Sequence, residues 1–181
     1  MIAKIKEFPG VSLSEKDFTE GKVLFLHDKC KADYAWDTGV GIGTYLAGLK
    51  RGVILGSYCS HCRKIVVPPR TVCEWCFNLM DEFVPLKDTG TINTFSLCYV
   101  TWDMKRVKEP EIPAVIQLNG ASALSSTSVI MGGIMHKLGE VNPRLVRIGM
   151  QVQAVWKKPE ERQGAITDIL YFKPIVKEEE E

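Results

Sequence analysis

Cys59-Ser60-His61-Cys62 and Cys73-Glu74-Trp75-Cys76 are two C-x-x-C knuckles with ten residues between them, and no other part of the chain constrains its fold as tightly. Each knuckle turns two thiolates toward one point. A hairpin between the knuckles brings all four sulfurs to roughly 2.3 Å from a single metal ion. Zinc is the first choice; iron also accepts four thiolates, and spacing alone does not separate the two. A thioredoxin-like redox pair fits poorly, because no βαβ pattern surrounds either knuckle. Cys59, Cys62, Cys73 and Cys76 close the coordination sphere and leave no position for a reactive water, so the metal is expected to be structural. His61 lies inside the first knuckle and, with four thiolates at hand, is expected to be an exposed loop residue.

A chain of 181 residues suits one core with a small attached module. Apolar residues at 45% and charged residues at 25% are ordinary globular usage and argue against a disordered chain. The formal charge of +1 argues against a nucleic-acid or membrane partner, since either usually leaves a strongly basic signature. The longest apolar stretch, Val129 to Met135, is far short of a membrane span and holds two glycines. Met1-Ile2-Ala3-Lys4-Ile5-Lys6 has no signal-peptide character and the acidic C-terminus no lipidation motif. A cytoplasmic protein with reduced cysteines is therefore expected.

Residues 1–52 read as an N-terminal arm followed by a helix. Asp37 or Thr38 can cap that helix, Ile42, Tyr45, Leu46 and Leu49 recur at helical spacing, and Gly52 suits its stop. Residues 53–80 read as the metal ribbon, with strands at Val53-Ile54-Leu55 and Lys64 to Val67. Residues 81–175 read as short strands separated by turns, the character of a small β-barrel. Strands are expected at Glu82 to Leu86, Thr91 to Val100, Ala114 to Leu118, Ser128 to Met135, Gln151 to Trp156 and Ala165 to Phe172. Turns are expected at Asp88-Thr89-Gly90, near Glu109-Pro110, at Asn119-Gly120 and at Pro159 to Gly164, with one helical turn at Asn142 to Val146. Residues 176–181 read as a solvated acidic tail.

Gly39-Val40-Gly41-Ile42-Gly43 is not a dinucleotide loop, because neither a buried strand nor a βαβ unit accompanies it. Its small residues suit close packing of a helix start. Phe95, Tyr99 and Trp102 could stack bases, but the period-2 spacing of Phe95 and Tyr99 fits core or rim packing better. Cys30 and Cys98 fall outside the knuckles and read as inert thiols. A nucleophilic Cys98 needs a base from among His27, His61 and His136.

Taken in order, the helix, the ribbon with Pro68-Pro69-Arg70 between its knuckles, Asp88-Thr89-Gly90-Thr91-Ile92, Pro113-Ala114-Val115-Ile116, Ile148-Gly149-Met150-Gln151-Val152 and Tyr171-Phe172-Lys173-Pro174 resemble the "domain of unknown function 35" family over about residues 37 to 175. The resemblance implies a mainly β protein: an N-terminal helical arm, a rubredoxin-like zinc ribbon and a C-terminal OB-fold β-barrel. It also implies a non-catalytic small subunit that docks on a thiolase-fold catalytic partner and helps form its CoA or acyl-CoA channel. Members of this type accompany hydroxymethylglutaryl-CoA synthase and thiolases of aromatic degradation such as benzoylsuccinyl-CoA thiolase. Asn119-Gly120-Ala121-Ser122 departs from the acidic residue and Gly found in many members, so ligand contacts are not carried over to that loop.

The residues agree with a subunit that leaves Claisen chemistry to a partner, being poor in His, general bases and activated Cys. Trp36, Tyr45 and Leu46 are candidate docking anchors, against the alternative that the helix packs on its own ribbon. Lys50, Arg51, Arg63, Lys64 and Arg70 are candidates for meeting CoA phosphates. Two other functions stay open: a single-strand nucleic-acid binder using barrel aromatics, and a stand-alone acyl-CoA binding or thioester-cleaving protein.

Overall fold

The computed structural model describes residues 12–24, 26, 33–122 and 133–175. His27, Cys30, residues 128–132 of an expected strand and the acidic tail 176–181 lie outside the described residues. The chain divides into two compact units, Met1–Trp36 and Asp37–Glu181. In the first unit, α1 (Glu15–Thr19) starts with a capping box, Ser14 and Asp17 exchanging side-chain and backbone bonds.

The second unit begins with α2 (Gly39–Lys50). The boundary expected at residue 52 thus falls instead at Trp36, because α2 is part of the second unit's core. Tyr45 and Leu49 are fully buried there with Ile54, Ile92, Ile116, Leu118, Ile134, Val152, Ile169 and Phe172. Each such large side chain contributes about 1.5–3 kcal/mol when removed from water. The buried stripe of α2 runs through Gly41, Tyr45, Gly48 and Leu49. Ile42, expected on that stripe, is 40% exposed. The helix is rotated toward its glycines because a Cβ at Gly41 would stand 3.0 Å from the Pro69 carbonyl oxygen, so the ribbon comes closest where no side chain intervenes. Of the stretch Gly39 to Gly43, Gly41 shows the close packing expected, whereas Gly39 has open space around it.

Among the described residues, the strands form three sheets. The ribbon sheet has the order β2-β1-β3, with β1 (Ile54–Cys59), β2 (Lys64–Val66) and β3 (Glu82–Leu86). Because β3 pairs with β1 from Ile54↔Leu86 to Tyr58↔Glu82, this sheet continues past the expected boundary at residue 80. The barrel sheet has the order β10-β9-β4-β7-β8: β4 (Thr89–Phe95), β7 (Pro113–Leu118), β8 (Gly133–Lys137), β9 (Gln151–Trp156) and β10 (Ile169–Pro174). A parallel bridge between Leu138 and Phe172 brings the two ends of that order together, which is how an OB-fold removes its sheet edges. The third sheet is a hairpin of β5 (Cys98–Val100) and β6 (Arg106–Glu111).

Several local expectations change. Thr89 and Gly90, expected in a turn, lie inside β4. Gly90 is there for close approach: a Cβ on it would collide with the Gln117 carbonyl oxygen. Glu109-Pro110 is not a turn but part of β6, where a two-stranded hairpin leaves an outer edge that tolerates Pro. The strand expected over Thr91 to Val100 breaks between Phe95 and Cys98. The single helical turn is a 3-10 turn at Pro143–Leu145, and Asn119-Gly120 is a turn. The last strand begins at Ile169, after a 3-10 turn at Ile166–Asp168.

Candidate metal centre

β1 delivers Cys59 at its end, and the tight turn after it carries Cys62. The second knuckle is closed by the Cys73 N–H donating to the Asn78 carbonyl at 2.8 Å and the Phe77 N–H to the Cys73 carbonyl at 2.9 Å. Both turns are made the same way. The residue after the second cysteine of each is left-handed, Arg63 at φ 52° and Phe77 at φ 58°, which folds each knuckle back over its own sulfurs. In the first knuckle the Cys62 N–H also points at Cys59 Sγ, 3.5 Å away.

The four Sγ atoms lie within 4.8 Å of one another. Cys59 and Cys76 are 3.6 Å apart, Cys62 and Cys73 3.8 Å. A tetrahedron with metal–sulfur bonds of about 2.3 Å has edges of about 3.8 Å, so the cluster fits a four-thiolate zinc ion. Four sulfurs this close cannot all ionise without a cation between them, because each thiolate opposes the next. Burial and the neighbouring sulfurs push the Cys62 thiol up to about 12. At Cys73 burial also acts upward, but the backbone N–H groups of Cys76 and Trp75 outweigh it and bring the thiol down to about 7. A divalent cation replaces the protons that such a cluster cannot all shed. With its four positions taken by protein, the ion would supply structure and no reactive water.

A clamp around the site escaped the sequence. The Ser60 N–H and hydroxyl donate to the two Asp81 carboxylate oxygens at 2.7 and 2.9 Å, holding the Asp81 carboxyl below its ordinary value. An Asp 21 residues from the serine it holds gives no local signal. His61 is exposed, as expected, with Nδ1 3.8 Å from Cys62 Sγ.

The other candidates are not brought into one place. Lys50 and Arg51 close α2, beside Arg162, whose guanidinium abuts Gly52. Arg63 and Lys64 stand at the Cys59 end of β1, about 17 Å away along a strand of six residues. Arg70 is ion-paired to Glu74, and Lys64 lies 5.0 Å over the Trp75 ring. The five cations are therefore no single phosphate cradle. Of the docking candidates, Tyr45 is 1% exposed and Leu46 packs against the core. Their side chains face inward because α2 packs on its own ribbon and barrel. Trp36 is 81% exposed and stacks with Tyr34 at 5.9 Å. Tyr99 and Trp102 are exposed, outside the core. Cys98 is half-buried. His136 faces the Phe172 ring edge and the carbonyls of Lys137 and Ile166.

Comparison with known proteins agrees with this architecture. Residues 46–79 match the model of the ChsH2 rubredoxin-like zinc ribbon domain, and residues 83–157 that of the ChsH2 C-terminal OB-fold domain. A relative in Methanocaldococcus jannaschii, named a DUF35 domain-containing scaffold protein, is 28% identical over 129 residues, 70% of this chain and 84% of its own. The crystal structure of a DUF35-family protein of Sulfolobus solfataricus superposes with a TM-score of 0.53 at 26% identity, covering 65% of this chain and 79% of that one. A chain of the structure described as "Ltp2-ChsH2(DUF35) aldolase" shares the fold at 17% identity and a TM-score of 0.54, over 80% of this chain and all of that one. Ribbon and barrel models match in sequence order and together span more than half of the chain, and the four-sulfur centre stands where the ribbon requires it: the chain belongs to the DUF35 family of zinc-ribbon and OB-fold proteins.

Proposed function

We propose that this chain is the non-catalytic small subunit of a thiolase-type complex, seated on a catalytic partner and helping to form its CoA or acyl-CoA channel. The observation that carries this reading is the contrast between a closed core and the large apolar side chains left outside it. Trp36, Trp102 and Met104 stand in solvent, which is costly for a protein that works alone and useful for one that docks. The metal centre has no open position for chemistry. The names of two similar proteins, one a scaffold and one found in an aldolase with Ltp2, point the same way.

Lys50 and Arg51, with Arg162 beside them, are the cations we assign to the phosphates of CoA at the channel mouth. The pairing of Arg70 with Glu74 and the stacking of Lys64 on Trp75 leave those two less suited. Co-expression with the thiolase-fold protein of the same genome, followed by size-exclusion chromatography with light scattering, tests the reading. A stable complex whose thiolysis needs both chains is the expected result. A monomer beside a partner fully active alone would overturn it. Salt-sensitive oligonucleotide binding in that second case would move the function to single-stranded nucleic acid.

A further inference from the structure

The β5–β6 hairpin is an extension of the β4–β7 pair that leaves the barrel. Among the described residues its strands join no other sheet, and an isolated two-stranded hairpin is only marginally stable in water. Its tip is nevertheless tightly built. The Thr101 N–H donates to the Lys105 carbonyl at 2.9 Å and the Met104 N–H to the Thr101 carbonyl at 3.0 Å. The Lys105 N–H donates to Thr101 Oγ1 at 3.1 Å, and the Thr101 hydroxyl bonds Asp103. Asp103 in turn pairs with Lys105 at 2.7 Å.

This fixed turn presents apolar side chains to solvent. Trp102 is 96% exposed and Met104 86%, and Met104 is held left-handed at φ 63°. A left-handed backbone is unfavourable for a residue other than glycine, and no packing of the Met104 side chain among the described residues offsets it. Tyr99 and Val100 continue the exposed surface down β5. Beside the tip, Arg106 and Lys108 are exposed and make no ion pair among the described residues, whereas Asp103 is already neutralised by Lys105. One face of β6 is therefore basic beside the apolar tip, while Glu109 and Glu111 lie farther along the strand on its other face.

We propose that this hairpin anchors the chain to its thiolase-fold partner, Trp102 and Met104 filling an apolar recess whose rim carries carboxylates facing Arg106 and Lys108. The inference rests on the subunit reading above and names the surface that reading requires. A pre-ordered turn loses little entropy on docking, and an aromatic inserted in a dry pocket is the usual centre of a strong interface. The rim charges serve orientation and encounter rate more than affinity.

The test compares wild type with W102A/M104A and, separately, R106E/K108E, using the co-expressed thiolase-fold protein as probe. The substitutions lie on exposed positions, and zinc content and the thermal transition check that the fold is intact. Loss of at least ~30-fold in affinity for W102A/M104A, with a slower, less salt-sensitive association for R106E/K108E, is expected. Wild-type affinity in W102A/M104A would overturn the hairpin anchor while leaving the subunit reading in place. No complex with wild type would overturn both. Binding of phosphatidylserine–phosphatidylcholine vesicles that W102A/M104A abolishes, with complex affinity unchanged, would assign the tip to a lipid surface and also overturn the proposal.

Discussion

The Ile65 N–H donates to the Ser122 hydroxyl at 2.9 Å, and the Ser122 N–H donates back to the Ile65 carbonyl at 3.0 Å. Ile65 sits on the outer strand of the ribbon sheet and Ser122 in the loop that leaves the barrel strand β7, so this reciprocal pair joins the two domains and caps an edge that would otherwise be open to another chain. The loop that departs from the family pattern, Asn119 to Ser122, is thus a structural joint. Gln117 supports it by donating to the Ser122 carbonyl at 3.0 Å, and Asn119 is tied to Thr89 through backbone and side chain. Ser122→Ala leaves the Ile65 N–H without its acceptor and should cost about 1–2 kcal/mol in urea unfolding. Amide exchange at Ile65 should speed up selectively. Unchanged exchange there would show that water replaces the hydroxyl without loss.

Metal removal should act beyond the ribbon. Val67 and Ile54 belong to the same buried cluster as the barrel's Ile92 and Phe172, so a ribbon that loses its ion releases part of the shared core. One zinc per chain is expected by elemental analysis, and cobalt should give a tetrahedral thiolate spectrum. Chelation, or Cys73→Ser, should lower the thermal transition of the whole Asp37–Glu181 unit and not just melt residues 59–79. A barrel transition unmoved by chelation would mean that the two parts are energetically separate.

The metal ligands were legible in the sequence because their information is local: two C-x-x-C turns define a site wherever the hairpin between them closes. The alternation of Val152 and Ala154 against Gln151 and Gln153 likewise marked β9, whose inward residues are buried and outward ones exposed. What the sequence concealed is set by contacts between distant segments. The stripe of α2 turns on how closely Gly41 can approach Pro69, which helical spacing does not express. Gly90 looks like a turn residue until Gln117 is placed against it. Five cations close in sequence look like one patch until β1 separates them. Tyr45 looks like an anchor because an aromatic at helical spacing reads the same whether its face meets the protein's own core or a partner.

The two left-handed residues of the knuckles carry a removable cost. Arg63 and Phe77 are both exposed, so their side chains contribute little packing, while their backbones occupy a region that suits glycine. Arg63→Gly and Phe77→Gly should each raise the stability of the zinc-loaded protein by up to about 1 kcal/mol, the relief of strain being partly offset by the freer unfolded chain. Thermal denaturation of the zinc-loaded variants checks the sign. A loss of stability at either position would mean that its side chain, not its backbone, is what the knuckle uses.

Asp168 is fully buried and holds the loop between β9 and β10 together. Its carboxylate accepts from the Gln163 N–H at 3.0 Å, the Gly164 N–H at 2.7 Å and the Ala165 N–H at 3.1 Å. Burial alone would raise its pKa, but those backbone donors, with Lys157 nearby, outweigh it and hold the carboxyl below its ordinary value. A carboxylate with a lowered folded pKa contributes stability that is fully present above its unfolded value of about 3.9, and that contribution is lost as pH falls through the folded pKa. Asp168→Asn sets an amide where three N–H groups need acceptors, and it should cost about 2–3 kcal/mol at pH 7. Because the variant has no such group to titrate, the stability difference between wild type and variant should narrow as pH falls from 5 toward 2. A gap that stays constant over that range would show that the loop is held by its shape and not by the charge.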